Sequence, residues 1–155
     1  MRMITALAIF IGMVSAVQAA GSVEENLKQA IQLSNQGRKE EAVQILQGLG
    51  VQNPSDDRVF LCLGLIYRSL QRYDDAIRAF ERAVSIKASG EGYYSLGLLY
   101  EGKAIGDESG ARHWVEKAKA AWTSFLRMNP ADSKKAEVAA RHLKNLEDAD
   151  ASGQK

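Results

Sequence analysis

The chain has 155 residues, 46% of them hydrophobic and 25% charged, with two prolines and one cysteine; this describes one globular domain and excludes a catalytic domain carrying a second module. A formal net charge of +1 excludes the strongly basic footprint of a nucleic-acid binder. A single cysteine excludes an internal disulfide framework, and with only two histidines beside it a zinc site is not expected, nor is any other cofactor.

Residues 1–19 read as a secretory signal peptide. Arg2 is the only charge before Glu24, an apolar run follows from Met3 to Val14, and Ser15-Ala16-Val17-Gln18-Ala19 closes it. Val17 and Ala19 supply the small-x-small pattern that a signal peptidase accepts. The run falls short of the ~20 residues that span a bilayer, and no cysteine directly follows it for lipid attachment. Cleavage after Ala19 removes Arg2 and leaves a formally neutral chain, expected in the periplasm or outside the cell without stable membrane insertion.

From residue 23 the sequence repeats. Ala42 and Ala76 lie 34 positions apart, as do Leu46 and Phe80, Leu49 and Ala83, Leu33 and Tyr67, and Ala30 and Gly64. The copy at 57–90 carries Phe60, Leu63-Gly64, Tyr67, Tyr73, Ala76, Phe80 and Ala83, and the copy at 23–56 ends in Pro54. Phe60, Leu63, Gly64 and Tyr67 follow the i, i+3, i+4, i+7 rule of a helix face. Gly64 and Ala76 are small where two antiparallel helices approach closely, with turns near Gly37 and Gln71. At these offsets the chain resembles the tetratricopeptide repeat family. The resemblance implies an all-α fold: a right-handed α-α superhelix of three helix-turn-helix repeats, at 23–56, 57–90 and 91–130.

The third copy is irregular. Leu96-Gly97 and Tyr100 restate Leu63-Gly64 and Tyr67, and a longer turn is expected over Glu101–Asp107. The stretch Leu96–Ala118, with Asp107, Ala111, Trp114 and Lys117-Ala118, resembles the Sel-one-like subclass, with a turn about two residues shorter. Two registers fit its second helix: Ala111, Val115 and Ala118 match Ala76, Phe80 and Ala83, and so do Ala118, Trp122 and Phe125. Asn129-Pro130 ends that helix.

A last helix is predicted over 132–148, capped by Asp132 or Ser133. Ala136, Ala139, Leu143 and Leu146 form its apolar stripe, opposite Lys134, Lys135, Glu137, Arg141 and Lys144. A helix of this kind closes the exposed end of a repeat stack. The polar tail 149–155 is expected to fray.

Little in this chain carries catalysis, and no enzymatic activity is expected. His113 and His142 lie in different helices, each beside an arginine and without a neighbouring carboxylate. Cys62 reads as a small apolar residue, with Arg58 four positions earlier as the one hint of an activated thiol. Gly102, Gly106 and Gly110 have no phosphate-loop sequence behind them, and Asp107-Glu108 is an ordinary acidic helix start.

A second stripe runs along the first helix of each repeat. Its rows are Glu24, Leu27, Ile31, Ser34; then Arg58, Leu61, Leu65, Arg68; then Glu91, Tyr94, Leu98, Glu101. The resemblance implies that these positions line a concave groove, apolar at its centre and polar at its ends, as a peptide or helix docking site requires. The candidate contacts are Leu27, Ile31, Arg58, Leu61, Leu65, Arg68, Tyr94, Leu98 and Glu101. Tyr94 is the best single anchor, because aromatic residues dominate such sites, and Arg58 and Arg68 are placed to meet a partner's carboxylates. The lysine and asparagine set that clamps a chain-terminal carboxylate in some members is present only in fragments, at Lys28, Asn35 and Arg58. The expected function is protein–protein interaction, as an exported adaptor or assembly factor holding a segment of another exported protein. The alternatives are a structural subunit of a cell-envelope complex or a thiol-dependent or hydrolytic enzyme.

Overall fold

The computed structural model describes residues 22–107, 109–128 and 133–153. The predicted signal peptide, Glu108, Asn129-Pro130 and Asp132 lie outside them. Seven helices and no strand occur among the described residues: α1 Val23–Asn35, α2 Lys39–Gln52, α3 Asp57–Ser69, α4 Tyr73–Ile86, α5 Gly90–Gly106, α6 Ala111–Arg127 and α7 Ser133–Gly153.

The helix ends follow from local chemistry. Ser22 opens α1 with a capping box: its hydroxyl accepts from the Glu25 N–H, and the Glu25 carboxylate accepts from the Ser22 N–H at 2.8 Å. Asp56 caps α3 by accepting from the Arg58 N–H, and Ser89 caps α5 by accepting from the Gly92 N–H. The first two hairpins turn alike. Gly37 (φ 82°) and Gln71 (φ 60°) adopt the left-handed conformation, so that the N–H of Arg38 reaches the Leu33 carbonyl and that of Arg72 the Tyr67 carbonyl, both at 2.9 Å.

Each helix packs on the next along the chain, and α1 also touches α3; the result is a helical repeat solenoid. The positions that repeat at 34 are the core: Ala30, Leu33, Ala42, Leu46, Leu49, Tyr67, Ala76, Phe80 and Ala83 are all buried. A Cβ on Gly64 would lie 2.7 Å from the Phe80 ring, which explains the glycine.

The third hairpin departs from the expected turn. The predicted turn residues 101–106 are helical, and the return helix α6 begins only at Ala111. Ala104 stands where Gly37 and Gln71 stand in the earlier repeats, and alanine continues a helix there rather than entering the left-handed region. Both arms are therefore longer, 17 residues each against 13 and 14 in the second hairpin. Of the two registers, the structure selects the second. A Cβ on Gly97 would lie 2.5 Å from the Trp122 ring, so Trp122 takes the place of Phe80. Ala118, Trp122 and Phe125 are buried, while Ala111 and Val115 are only half-buried.

The longer hairpin carries its own fastening. Asp107 accepts from the Ser109 hydroxyl, the Gly110 N–H and the Trp114 indole N–H. These bonds hold its carboxyl below the ordinary aspartate value, that to Ser109 foremost. Trp114 stacks on Tyr100 at 5.9 Å between ring centres. Glu81 accepts from Tyr100 Oη and Lys117 Nζ, each at 2.7 Å, tying α4 to α5 and α6. Burial opposes the charge on Glu81, but these two donors hold its carboxyl below its usual range. Burial and the adjacent carboxylate push the Tyr100 phenol upward.

Helix α7 lies against α6, with Ala139 buried and Leu143 and Leu146 packed on the core. It continues to Gly153, five residues past the predicted end at 148, so 149–153 are helical. No helix among the described residues is long and apolar enough to cross a membrane.

Candidate functional site

The three rows of the second stripe lie on α1, α3 and α5, one per hairpin. The structure places their members in different surroundings. Ile31 and Leu98 are open to solvent, at 47% and 37% exposure, whereas Leu27 is buried at 5%. Leu61 and Leu65 are half-buried against the core, with a Leu61 methyl 3.5 Å from the Cβ position of Gly92 on α5. The apolar surface that remains open is thus Ile31 and Leu98, flanked by the partly exposed edges of Leu61 and Leu65.

Tyr94 is not a free anchor. Its ring meets Trp122 and Phe125 edge-on, with centres 5.3 and 5.2 Å away, and the Lys135 ammonium sits 5.3 Å above it. Glu101 is likewise engaged: Trp122 Nε1 donates to it at 2.6 Å, and His142 Nδ1 lies 2.7 Å from its other oxygen. Lys135, expected on the solvent side of the last helix, pairs with Glu91 at 3.2 Å. Two predicted groove residues therefore fasten α7 to the third hairpin.

The row ends are mostly paired. Arg58 contacts Asp56 at 2.7 Å and Glu24 at 3.0 Å, which raises its own affinity for a proton and lowers that of Asp56. Arg68 donates to the Ser95 hydroxyl at 3.2 Å. Beside it, a pocket of about 410 Å³ opens between the last turn of α3, the start of α4 and the second half of α5, lined by Arg68, Tyr73, Leu98, Leu99, Gly102 and Lys103.

The residues weighed for chemistry are placed apart. Burial raises the Cys62 thiol above its ordinary value despite the opposing charge of Arg58, so the thiolate is disfavoured. His113 is exposed beside Trp114 on α6, and His142 points to Glu101 rather than to the cysteine. Among the described residues, no group of three His, Cys, Asp or Glu side chains is arranged to hold a metal ion. The His142–Glu101 pair was missed from sequence because its members lie 41 positions apart.

Solved structures share this fold. The Yersinia enterocolitica type III secretion translocator chaperone SycD is 19% identical, with 86% of each chain covered and a TM-score of 0.64. PcrH of Pseudomonas aeruginosa, solved in complex with the chaperone-binding region of PopD, is 20% identical over 86% of this chain and 98% of that one, also with a TM-score of 0.64. A thermophilic TPR protein of Thermus thermophilus is 20% identical over 82% of this chain and 75% of that one, with a TM-score of 0.60. No curated protein matches the chain. Residues 18–96 match the family model described as the Psidin N-terminal TPR repeats region. That match spans half the chain and takes in the first two hairpins with part of the third, and by it the protein belongs to this tetratricopeptide repeat family.

Proposed function

We propose that the protein is an exported adaptor or assembly factor that holds a segment of another exported protein along the α1–α3–α5 row. The observation that carries this reading is the open apolar pair Ile31 and Leu98, with Leu61 and Leu65 partly exposed on α3 between them. Apolar surface bounded by ordered charges suits a docked segment more than it suits a reaction. The complex of PcrH with a segment of PopD supports a protein partner for a chain of this fold. The Sel-one-like pattern of Leu96–Ala118 belongs to the same reading.

Ile31→Glu and Leu98→Glu are the variants that test it. Each places a charge on an open position, so melting should stay within a few degrees of wild type while partner capture from the native envelope is lost. Retention of the same partners, identified by mass, by both variants would remove the row from the binding surface. Tyr94→Ala does not serve here, since loss of its edge-on contacts lowers stability by itself, by about 2 kcal/mol or more for a large aromatic.

Export rests on residues 1–19. Intact-mass analysis of the protein from its native host should give a chain beginning at Ala20 or close to it. A membrane-retained form beginning at Met1 would overturn the localisation.

A further inference from the structure

The charged groups of the row are engaged almost throughout. Glu24 meets Arg58 at 3.0 Å, Glu91 meets Lys135 at 3.2 Å, and Glu101 is held by Trp122 and His142. Arg68 stands apart. Its polar contact is the Ser95 hydroxyl, 3.2 Å from Nη1, and that hydroxyl itself donates to Glu91 at 3.5 Å; among the described residues no carboxylate lies within ion-pair distance of the guanidinium. A guanidinium carries five N–H donors, so one hydroxyl leaves most of them without a protein acceptor.

The pocket next to it is otherwise neutral. Lys103 on the far wall is matched by Asp74 at 2.9 Å and lies 5.5 Å above the Trp114 ring. Leu98, Leu99 and Gly102 form an apolar lining, joined by the half-exposed Tyr73. The uncompensated charge of the pocket therefore belongs to Arg68. A partner cation would be repelled there, and a neutral apolar group alone would strip water from the guanidinium without replacing it.

We infer that this pocket receives a bulky aliphatic side chain of the docked segment, and that Arg68 pairs with an acidic side chain of the same segment. This inference rests on the groove reading above and names the chemistry of its occupant. In an extended chain, side chains two positions apart share a face, so the carboxylate belongs two residues from the aliphatic side chain. Ile31 gives the segment a second apolar stop. Helices pack about 8–10 Å apart, so α1 and α5 lie roughly 20 Å apart, and an extended chain advances ~3.3–3.6 Å per residue. The two stops are therefore about six residues apart. Placed two residues from the seated aliphatic side chain, the carboxylate is a side chain of the segment rather than a chain terminus.

The test uses twelve-residue peptides blocked at both ends, with two leucines six positions apart. Each leucine is flanked two positions away by Glu in one peptide, by Gln in a second and by Lys in a third. Fluorescence anisotropy should show the Glu peptide binding about tenfold tighter than the Gln peptide, as expected for one charge-assisted pair, with the Lys peptide weakest. Arg68→Gln keeps an N–H donor on α3 and should bring the Glu and Gln peptides to equal affinity with melting unchanged. If all three peptides bind wild type equally and Leu98→Glu abolishes that binding, the groove stands and the role of Arg68 is overturned. A preference for Glu that persists in Arg68→Gln overturns it as well. If none of the peptides binds, the inference and the groove reading fall together.

Discussion

Gly97→Leu should collapse the third hairpin, lowering the melting temperature by more than about 10 °C or preventing folding. The backbone of α5 rests on the Trp122 indole, and even a Cβ at position 97 would lie 2.5 Å from the ring. Trp122 is fully buried and has little room to swing aside: its indole N–H donates to Glu101, and the Tyr94 and His142 rings each lie 5.3 Å from it, centre to centre. Overpacking of a core costs typically ~1–3 kcal/mol and occasionally more. Here the clash falls on a rigid ring between two helices, which sets the expectation at the upper end. In a domain of this size each kcal/mol shifts melting by about 2–8 °C. Gly102 provides the control on the same helix. Nothing lies within 4 Å of a Cβ there, so Gly102→Ala should stabilise by about 0.5–1 kcal/mol through helix propensity alone. Thermal melts followed by circular dichroism distinguish the two. A Gly97→Leu protein that melts with wild type would show that α5 and Trp122 do not meet as described.

The same contact shows how far the fold was legible in the sequence. In the first two repeats a small residue on one helix and a large one on the next recur at a fixed period, because both hairpins turn at an equivalent left-handed residue. Gly64 and Phe80 can be paired by counting. In the third repeat the counting fails, since Ala104 lets α5 run on and nothing local says how far. Two registers then fit equally well, and only the packed ring beneath Gly97 separates them. Periodicity reports which face of a helix is buried, but not where a longer hairpin turns back.

The candidate site was legible in a similar, partial way. The alignment of rows placed Glu24 and Arg58 at equivalent positions on adjacent helices, and the structure pairs them. Tyr94 and Glu101 occupy the same stripe, yet their environment is set by α7, which contributes Lys135 and His142 from more than 40 positions away. No local pattern carries that information. Leu27 and Ile31 stand four positions apart on α1 and so differ in direction by about 40°, and the first is buried at 5% while the second is open at 47%. Exposure therefore separates Ile31 and Leu98 from neighbours that share their residue type.

Removal of residues 133–155 should give a protein that aggregates or loses several kcal/mol of stability. Helix α7 packs on α6 through Ala139, Leu143 and Leu146, and beneath it lie Trp122 and Phe125, at 0% and 3% exposure. Burying a large apolar side chain is worth about 1.5–3 kcal/mol. Uncovering part of two such side chains therefore takes a substantial share of the ~5–15 kcal/mol that holds a domain together. The truncation also removes His142 from Glu101 and Lys135 from Glu91 and the Tyr94 ring. Glu101 would keep the Trp122 indole as a donor but lose its cover, drawing water toward the aromatic cluster. The exposed end of a repeat stack is an apolar face that invites association with another such face. Size-exclusion chromatography and thermal melting read both consequences. Replacing the exposed residues Glu137 and Arg141 by alanine should change melting little, because those side chains are open to solvent. A truncated protein that stayed monomeric and melted with wild type would show that α7 rests on the solenoid without closing it.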